Sequence, residues 1–246
     1  KKELNYFPNK IKWIRKNIWE IELSDLKDID IIIHLASAGV SPKIVSWEIS
    51  EKVNVASAIK LITLAKKANV KRIICAGTCL EYGEELNNWD KIPSNAPLRP
   101  LGRYAVSKAA CFFFLKAFAI ENNIELFYGR IFSAYGKGQF AKNLWPSLYS
   151  AAISNKDFCI KDGKIIRDFI KVEKVCFHLM NAIIRKDINP GEPLVVNIGS
   201  GEGIKIIDFA KSEWIRLNAK GKLYERNNQS TIPKIERMVA CTNGLI

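Results

Sequence analysis

Tyr104 stands four residues before Lys108, at the start of an unbroken run of helix-forming residues. On a helix that spacing puts both side chains on one face, about one turn apart. An ammonium beside a phenol stabilises the phenolate, so this tyrosine is expected to exchange a proton near neutral pH, which a free phenol does not. Upstream, Thr78 lies in Ala76-Gly77-Thr78-Cys79-Leu80-Glu81-Tyr82-Gly83, at the end of an apolar segment, and offers a hydroxyl to the same substrate oxygen. Thr78, Tyr104 and Lys108 are therefore the candidate catalytic residues. Their chemistry is the movement of hydride between a nicotinamide and a carbon bearing hydroxyl or carbonyl.

The tyrosine–lysine spacing alone is not specific, because Tyr6 and Lys10 share it. Context separates the two. Pro8 interrupts any helix between Tyr6 and Lys10, whereas Pro100 precedes Tyr104 as a start signal and residues 105–120 follow without a break.

The elements that must position these residues follow from periodicity. Residues 11–14 read as a short strand. Residues 30–36 (Asp-Ile-Ile-Ile-His-Leu-Ala) form a continuous apolar run, as expected of a parallel strand covered on both faces. Residues 45–68 have helical spacing, 70–76 form the next strand, 104–120 the next helix and 124–132 another strand. This alternation indicates βαβ units and an α/β fold with a parallel sheet. Beyond Gly136 the rhythm loosens, with helices expected over 144–153, 172–185 and from 207, and strands over 167–170 and 194–198. The run from Lys222 onward reads as loop-rich. Residues 1–136 are expected to form one domain. Residues 137–246 form a smaller lobe, with segments near 165–175 and 194–199 returning to the first domain's sheet.

Composition narrows the class. A chain of 246 residues with 48% hydrophobic and 26% charged residues can bury a sizeable core. No apolar run reaches membrane-span length and no signal peptide is visible. The six cysteines form no CxxC pair and no metal-ligand spacing with the two histidines, so reduced thiols, no metal and a cytoplasmic location are expected. The net charge of +13 is scattered rather than blocked; biased codon usage in a chain rich in Lys, Ile and Asn accounts for it first, capture of a polyanionic ligand second, and nucleic-acid binding is a distant third.

Several segments, in order along nearly the whole chain, resemble the extended short-chain dehydrogenase/reductases of the nucleotide-sugar epimerase/dehydratase branch. Residues 30–36 resemble the strand whose end passes the cofactor ribose, and Asn54 the Asn of the following helix. Thr78 with Tyr82-Gly83, and the Tyr104–Lys108 pair, match the catalytic positions. Arg130-Ile131-Phe132-Ser133-Ala134-Tyr135-Gly136 resembles the strand and turn beside the nicotinamide. Arg167-Asp168-Phe169-Ile170 resembles the segment whose Arg holds a sugar-nucleotide diphosphate, and Asn197-Ile198-Gly199 a late turn.

The resemblance implies a Rossmann-type doubly wound parallel sheet with a C-terminal substrate-binding lobe. It implies NAD or NADP as cofactor, with His34, Leu35, Ala36, Asn54, Ala76, Tyr104, Lys108, Arg130 and Phe132 lining its site. Thr78, Ser133, Asn143 and Arg167 would bind a nucleoside-diphosphate sugar; no nucleic acid or membrane partner is implied, and a homodimer stays open. The activity implied is that of a 4-ketoreductase or 4-epimerase, against the alternative of a non-catalytic remnant that binds a sugar nucleotide or a protein.

Two departures bear on this expectation. The family's glycine-rich phosphate loop is absent: the first glycine is Gly39, so the chain is expected to be a fragment or a shortened product that starts after the first strand, its helix and the second strand. The residue that selects NAD over NADP is missing with them. Dehydratases of this branch carry Asp-Glu directly after the catalytic Thr, whereas this chain has Cys79 and Leu80, so elimination is not expected. Glu81, one place further, is expected to point to another face. His34 and Cys79 read as packed rather than catalytic residues, and His178 as a packed or surface one.

Overall fold

A parallel strand inside a sheet buries both faces, and helices between the strands supply the cover. The computed structural model describes residues 11–40, 43–226 and 235–245. Strand β1 is Ile31–His34. Helix α1, Trp47–Glu51, starts where the Ser46 hydroxyl accepts the Ile49 N–H. It passes through a π-helical turn, Lys52–Ala56, into α2, Ser57–Lys67. That wider turn is not visible in the apolar spacing, and it carries Asn54 into the interior. Strand β2, Arg72–Thr78, leads through short 3₁₀ turns to α3, Gly102–Glu121, and β3, Glu125–Ile131. One residue, Phe132, separates β3 from β4, Ser133–Tyr135.

The second half contains α4 (Leu144–Ile153), β5 (Phe158–Lys161), β6 (Ile166–Lys171) and α5 (Val172–Asn181). It continues with β7 (Leu194–Ile198), β8 (Gly203–Lys205), α6 (Ile206–Arg216), β9 (Leu223–Arg226) and β10 (Arg237–Met238).

The main sheet is parallel with order β1-β2-β3-β7. The period of two along β2 and β3 sorts its side chains. Ile73, Cys75, Leu126 and Tyr128 meet Ala58, Ile62, Phe112 and Leu115 of α2 and α3. Ile74 and Phe127 meet Val175 and Leu179 of α5. Helices thus cover both faces, which is the doubly wound α/β arrangement. A second sheet has order β10-β6-β4, with β8 antiparallel to β6, and β5 pairs with β9 over a separate core of Leu148, Ala152, Ile160, Ala210 and Trp214.

Three expectations need correction. Residues 11–14 form no strand: Ile11, Trp13 and Ile14 are exposed, with no strand beside them among the described residues. Strand β1 is not covered on both faces; Ile33 is exposed, and β1 is the edge of the main sheet as described. The segment near 165–175 does not return to the main sheet as a strand. Its strand β6 belongs to the second sheet, and only α5 packs on the main one, whereas β7 does join it. The loop-rich run after Lys222 carries the short strands β9 and β10. Residues 227–234, like Tyr6 and Lys10, lie outside the described residues. No described helix is long and apolar enough to cross a membrane.

Candidate active site

The site is built where β2 ends. Thr78 is the last residue of β2 and is buried. Its hydroxyl accepts the Leu80 N–H at 3.3 Å, and its own N–H donates to Glu81 Oε1 at 2.8 Å. The next layer is α3, which starts at Gly102 and brings Tyr104 and Lys108 to the same end of the strand. Lys108, 2% exposed, donates from Nζ to the Ala76 carbonyl at 2.8 Å, two residues before Thr78. Ser37, in the loop after β1, lies within hydrogen-bond reach of the Tyr104 oxygen. A cavity of about 300 Å³ opens beside Tyr104, with Gly39, Val45, Leu80 and Leu101 among its walls. Gly39 has φ +82° and faces the Tyr104 ring, so a side chain there would be strained in backbone and close to the phenol.

Electrostatics correct one expectation. Burial raises the Tyr104 pKa, while Lys108 and Ser37 lower it; the balance lies above the ordinary tyrosine value. The protein as described therefore holds Tyr104 as a phenol at neutral pH, a proton donor, rather than poised to ionise. Burial also works against the Lys108 ammonium. The Cys75 and Cys111 sulfurs, the Tyr104 oxygen and the Glu81 carboxylate outweigh it and keep Lys108 charged. His34, 4% exposed, is pushed down to about 4 by burial and by Lys108, so it is neutral at pH 7, and its Nε2 has no hydrogen-bond partner.

The remaining expected residues divide. Leu35 and Ala36 are exposed at the end of β1, and Ala76 spends its carbonyl on Lys108. Ser133 is half-buried at the start of β4, and Asn143 is the N-cap residue of α4 without a side-chain cap bond. The half-buried Arg167 donates to the Ile166 and Ile235 carbonyls.

Three expected cofactor contacts are used by the fold instead. Asn54 clasps three elements. Its Oδ1 accepts from the Ala38 N–H at 2.7 Å and its Nδ2 donates to the Ala38 carbonyl and to Ser107 Oγ, at 2.9 and 2.8 Å. The Arg130 side chain, 1% exposed, bonds Glu81, Tyr82 and the Ser94 carbonyl. Phe132 is buried with Cys79, Tyr82 and Leu86.

Sequence reasoning missed Glu81 and Asp168. Glu81 is fully buried and points inward, with Oε1 on the Thr78 N–H. The pattern Thr78-x-x-Glu81 is a capping box, and this signal could have found it. Asp168, also fully buried, accepts from the Ser200 N–H and hydroxyl and from the Gly201 and Ala240 N–H groups. It is the anchor of the second sheet.

Comparison with known proteins bears on the family and the fold. The chain is 27% identical over 210 residues to the dTDP-D-glucose 4,6-dehydratase of Homo sapiens, covering 85% of this chain and 57% of that protein. It thus spans little more than half the length of the curated relatives it matches. Among solved structures, MoeE5 in complex with UDP-glucuronic acid and NAD superposes with a TM-score of 0.82 at 25% identity, over 94% of this chain and 77% of that one. A UDP-N-acetylglucosamine 4-epimerase from Methanobrevibacter ruminantium M1, in complex with UDP-N-acetylmuramic acid, gives 0.85 at 22% identity over 94% and 74%, a likeness of fold. The model of one family matches residues 8–199, most of the sequence, and with the doubly wound sheet it places this chain in the NAD dependent epimerase/dehydratase family.

Proposed function

We propose that this chain carries the catalytic centre of an NAD- or NADP-dependent enzyme acting at a sugar carbon, C4, of a nucleoside-diphosphate sugar, as a 4-ketoreductase or 4-epimerase. The observation that carries this reading is the convergence of Thr78, Tyr104 and Lys108 at the end of β2, with Tyr104 lining a cavity. Nucleotide sugars and NAD in the complexes of similar proteins support the same ligand classes.

In this reading the Tyr104 phenol gives its proton to the sugar oxygen as a carbonyl becomes an alcohol, and takes it back in the reverse direction. Lys108 lowers the cost of the phenolate and, on leaving the Ala76 carbonyl, can bind the nicotinamide ribose. Thr78 orients the same oxygen. The residues present fit that end of a dinucleotide: a buried ammonium one turn from Tyr104, and a neutral imidazole at His34 with a free Nε2. When bound, the nicotinamide supplies and accepts the hydride. Arg167 and Asn143 are proposed for the diphosphate end, and residues 137–246 as the lobe that holds the sugar nucleotide.

A dehydratase reading is not favoured. Burial pushes the Cys79 thiol up to about 12, Leu80 is apolar, and the Glu81 carboxylate is taken by Thr78, Tyr128 and Arg130. None of the three can protonate a leaving hydroxyl.

The test uses the full-length protein with NAD(P)H and a 4-keto sugar nucleotide. Stoichiometric loss of NAD(P)H identifies a reductase; interconversion of 4-epimers without net change in cofactor identifies an epimerase. Unchanged turnover in Tyr104→Phe would remove Tyr104 from the mechanism.

A further inference from the structure

Two carboxylates are fully buried among the described residues; Asp168 is spent on Ser200, Gly201 and Ala240, and the mechanism above leaves Glu81 unused. Glu81 Oε1 accepts from the Thr78 N–H and from the Tyr128 hydroxyl, both at 2.8 Å, and Oε2 accepts from Arg130 Nε at 2.7 Å. The Tyr128 hydroxyl also reaches the Lys108 carbonyl at 3.4 Å. On the far side, Arg130 Nη1 donates to the Tyr82 oxygen at 3.1 Å and the Ser94 carbonyl at 2.8 Å. The Tyr82 hydroxyl in turn donates to Asn197 Oδ1 at 2.6 Å.

Every donor in this network is fixed. Burial pushes Tyr82 up to about 12 and Tyr128 well above the ordinary value, so both keep their protons. The Arg130 guanidinium lies 4.4 Å from the Phe112 ring centre and 4.8 Å from that of Tyr82, in a place that a ligand does not reach.

The space for this arrangement is reserved by a glycine. A Cβ on Gly77 would stand 2.3 Å from Tyr128 Cε1 and 2.9 Å from Glu81 Oε1. The residue before Thr78 is therefore bare so that Glu81 and Tyr128 can meet behind it. One carboxylate thus holds the backbone of Thr78 directly and, through Tyr128, the turn of α3 that carries Lys108.

We propose that Glu81, charge-balanced by Arg130, is a positioning residue that sets the Thr78 hydroxyl against Tyr104 and Lys108. This rests on the hydride-transfer reading of the site. It uses the capping-box glutamate as the tie between the end of β2 and the catalytic helix.

Removing one partner leaves the other charge buried and unpaired, and such a variant can fail to fold. The test therefore compares two charge-neutral doubles, Glu81→Gln/Arg130→Met and Glu81→Leu/Arg130→Met. The first keeps an oxygen for the Thr78 N–H and the Tyr128 hydroxyl; the second removes it. With both melting cooperatively, the leucine double is expected to lose about tenfold or more in kcat relative to the glutamine double, with KM little changed. Equal kcat in two folded doubles would overturn the proposal.

Two further readouts need no substrate. The Thr78 amide should exchange faster with solvent in the leucine double only; equal exchange counts against the proposal. Tyr104 is faced by Lys108 on its own helix, by Ser37 from the loop after β1 and by Glu81 and Cys79 from the turn after β2. Both doubles remove the Glu81 and Arg130 charges together, so Tyr104 ionisation should differ between them only through the placing of Lys108, lying at higher pH in the leucine double when read against a Tyr104→Phe control, and identical titrations count against the proposal. If these two readouts respond as expected but the wild-type protein turns over no sugar nucleotide, the assigned reaction fails while the positioning role stands.

Discussion

The Lys108 ammonium and the Ala76 carbonyl, 2.8 Å apart, tie α3 to β2 two residues before Thr78. The bond keeps a buried cation satisfied while holding it one turn from Tyr104.

Lys108→Met should therefore act on Tyr104 as well as on binding. Lys108 lowers the Tyr104 pKa, so its loss raises that pKa further. Turnover is expected to fall by about a hundredfold or more, and the pH limb that reports Tyr104 to move to higher pH. A pH–rate profile of the full-length variant with its limb unmoved would separate Lys108 from Tyr104 ionisation.

Adjacent residues 167 and 168 should behave oppositely. Asp168→Ala strips four hydrogen bonds from one buried carboxylate and is expected to cost about 3 kcal/mol or more in thermal or denaturant unfolding. Arg167→Met loses only bonds to the Ile166 and Ile235 carbonyls, so stability should change by less. Its KM for a sugar nucleotide should rise about tenfold or more if the guanidinium turns to a diphosphate. A variant with unchanged KM would exclude that role.

His34 should make stability depend on pH. Its folded pKa, about 4, lies below the ordinary value of 6.5. Between these values the unfolded chain holds more protons, so stability rises with pH through that window. The contribution, roughly 3 kcal/mol at most, is complete above pH ~6.5 and is lost as pH falls toward ~4. Denaturant midpoints at about pH 7.5 and about pH 5 should differ more in the wild type than in His34→Leu. An equal difference in both proteins would assign the effect to other groups.

Gly83→Ala should be among the most damaging small substitutions. Gly83 has φ +54°, and a Cβ there would lie 1.7 Å from the Arg99 carbonyl oxygen, which is backbone and cannot turn aside. The loop must move, and a loss of about 3 kcal/mol or more is expected, read as a large fall in melting temperature or in soluble yield.

What the sequence disclosed was local. Residues 144–153 and 194–198 form their elements with the bounds expected, because apolar period and flanking turn residues both act within a few positions. The Tyr104–Lys108 pair was legible for the same reason. Partners were not legible. Arg130 sits where a cofactor contact was expected, yet its guanidinium is claimed by a carboxylate 49 positions earlier. Asn54 is claimed by Ser107, 53 positions later. Strand β6 carries a pattern that fits either sheet, and the choice is made by its neighbours β4, β8 and β10, far apart in the chain.

The single residue between β3 and β4 has a mechanical meaning. Phe132 donates its N–H to Ile198 of β7, and the strand on either side of it belongs to a different sheet. Residues 125–135 thus act as one continuous spar shared by both halves of the molecule. A clamshell motion pivoting there would have to unzip hydrogen bonds on both sides at once, so the geometry between Thr78 on the neighbouring β2 and the second sheet is set by the covalent chain.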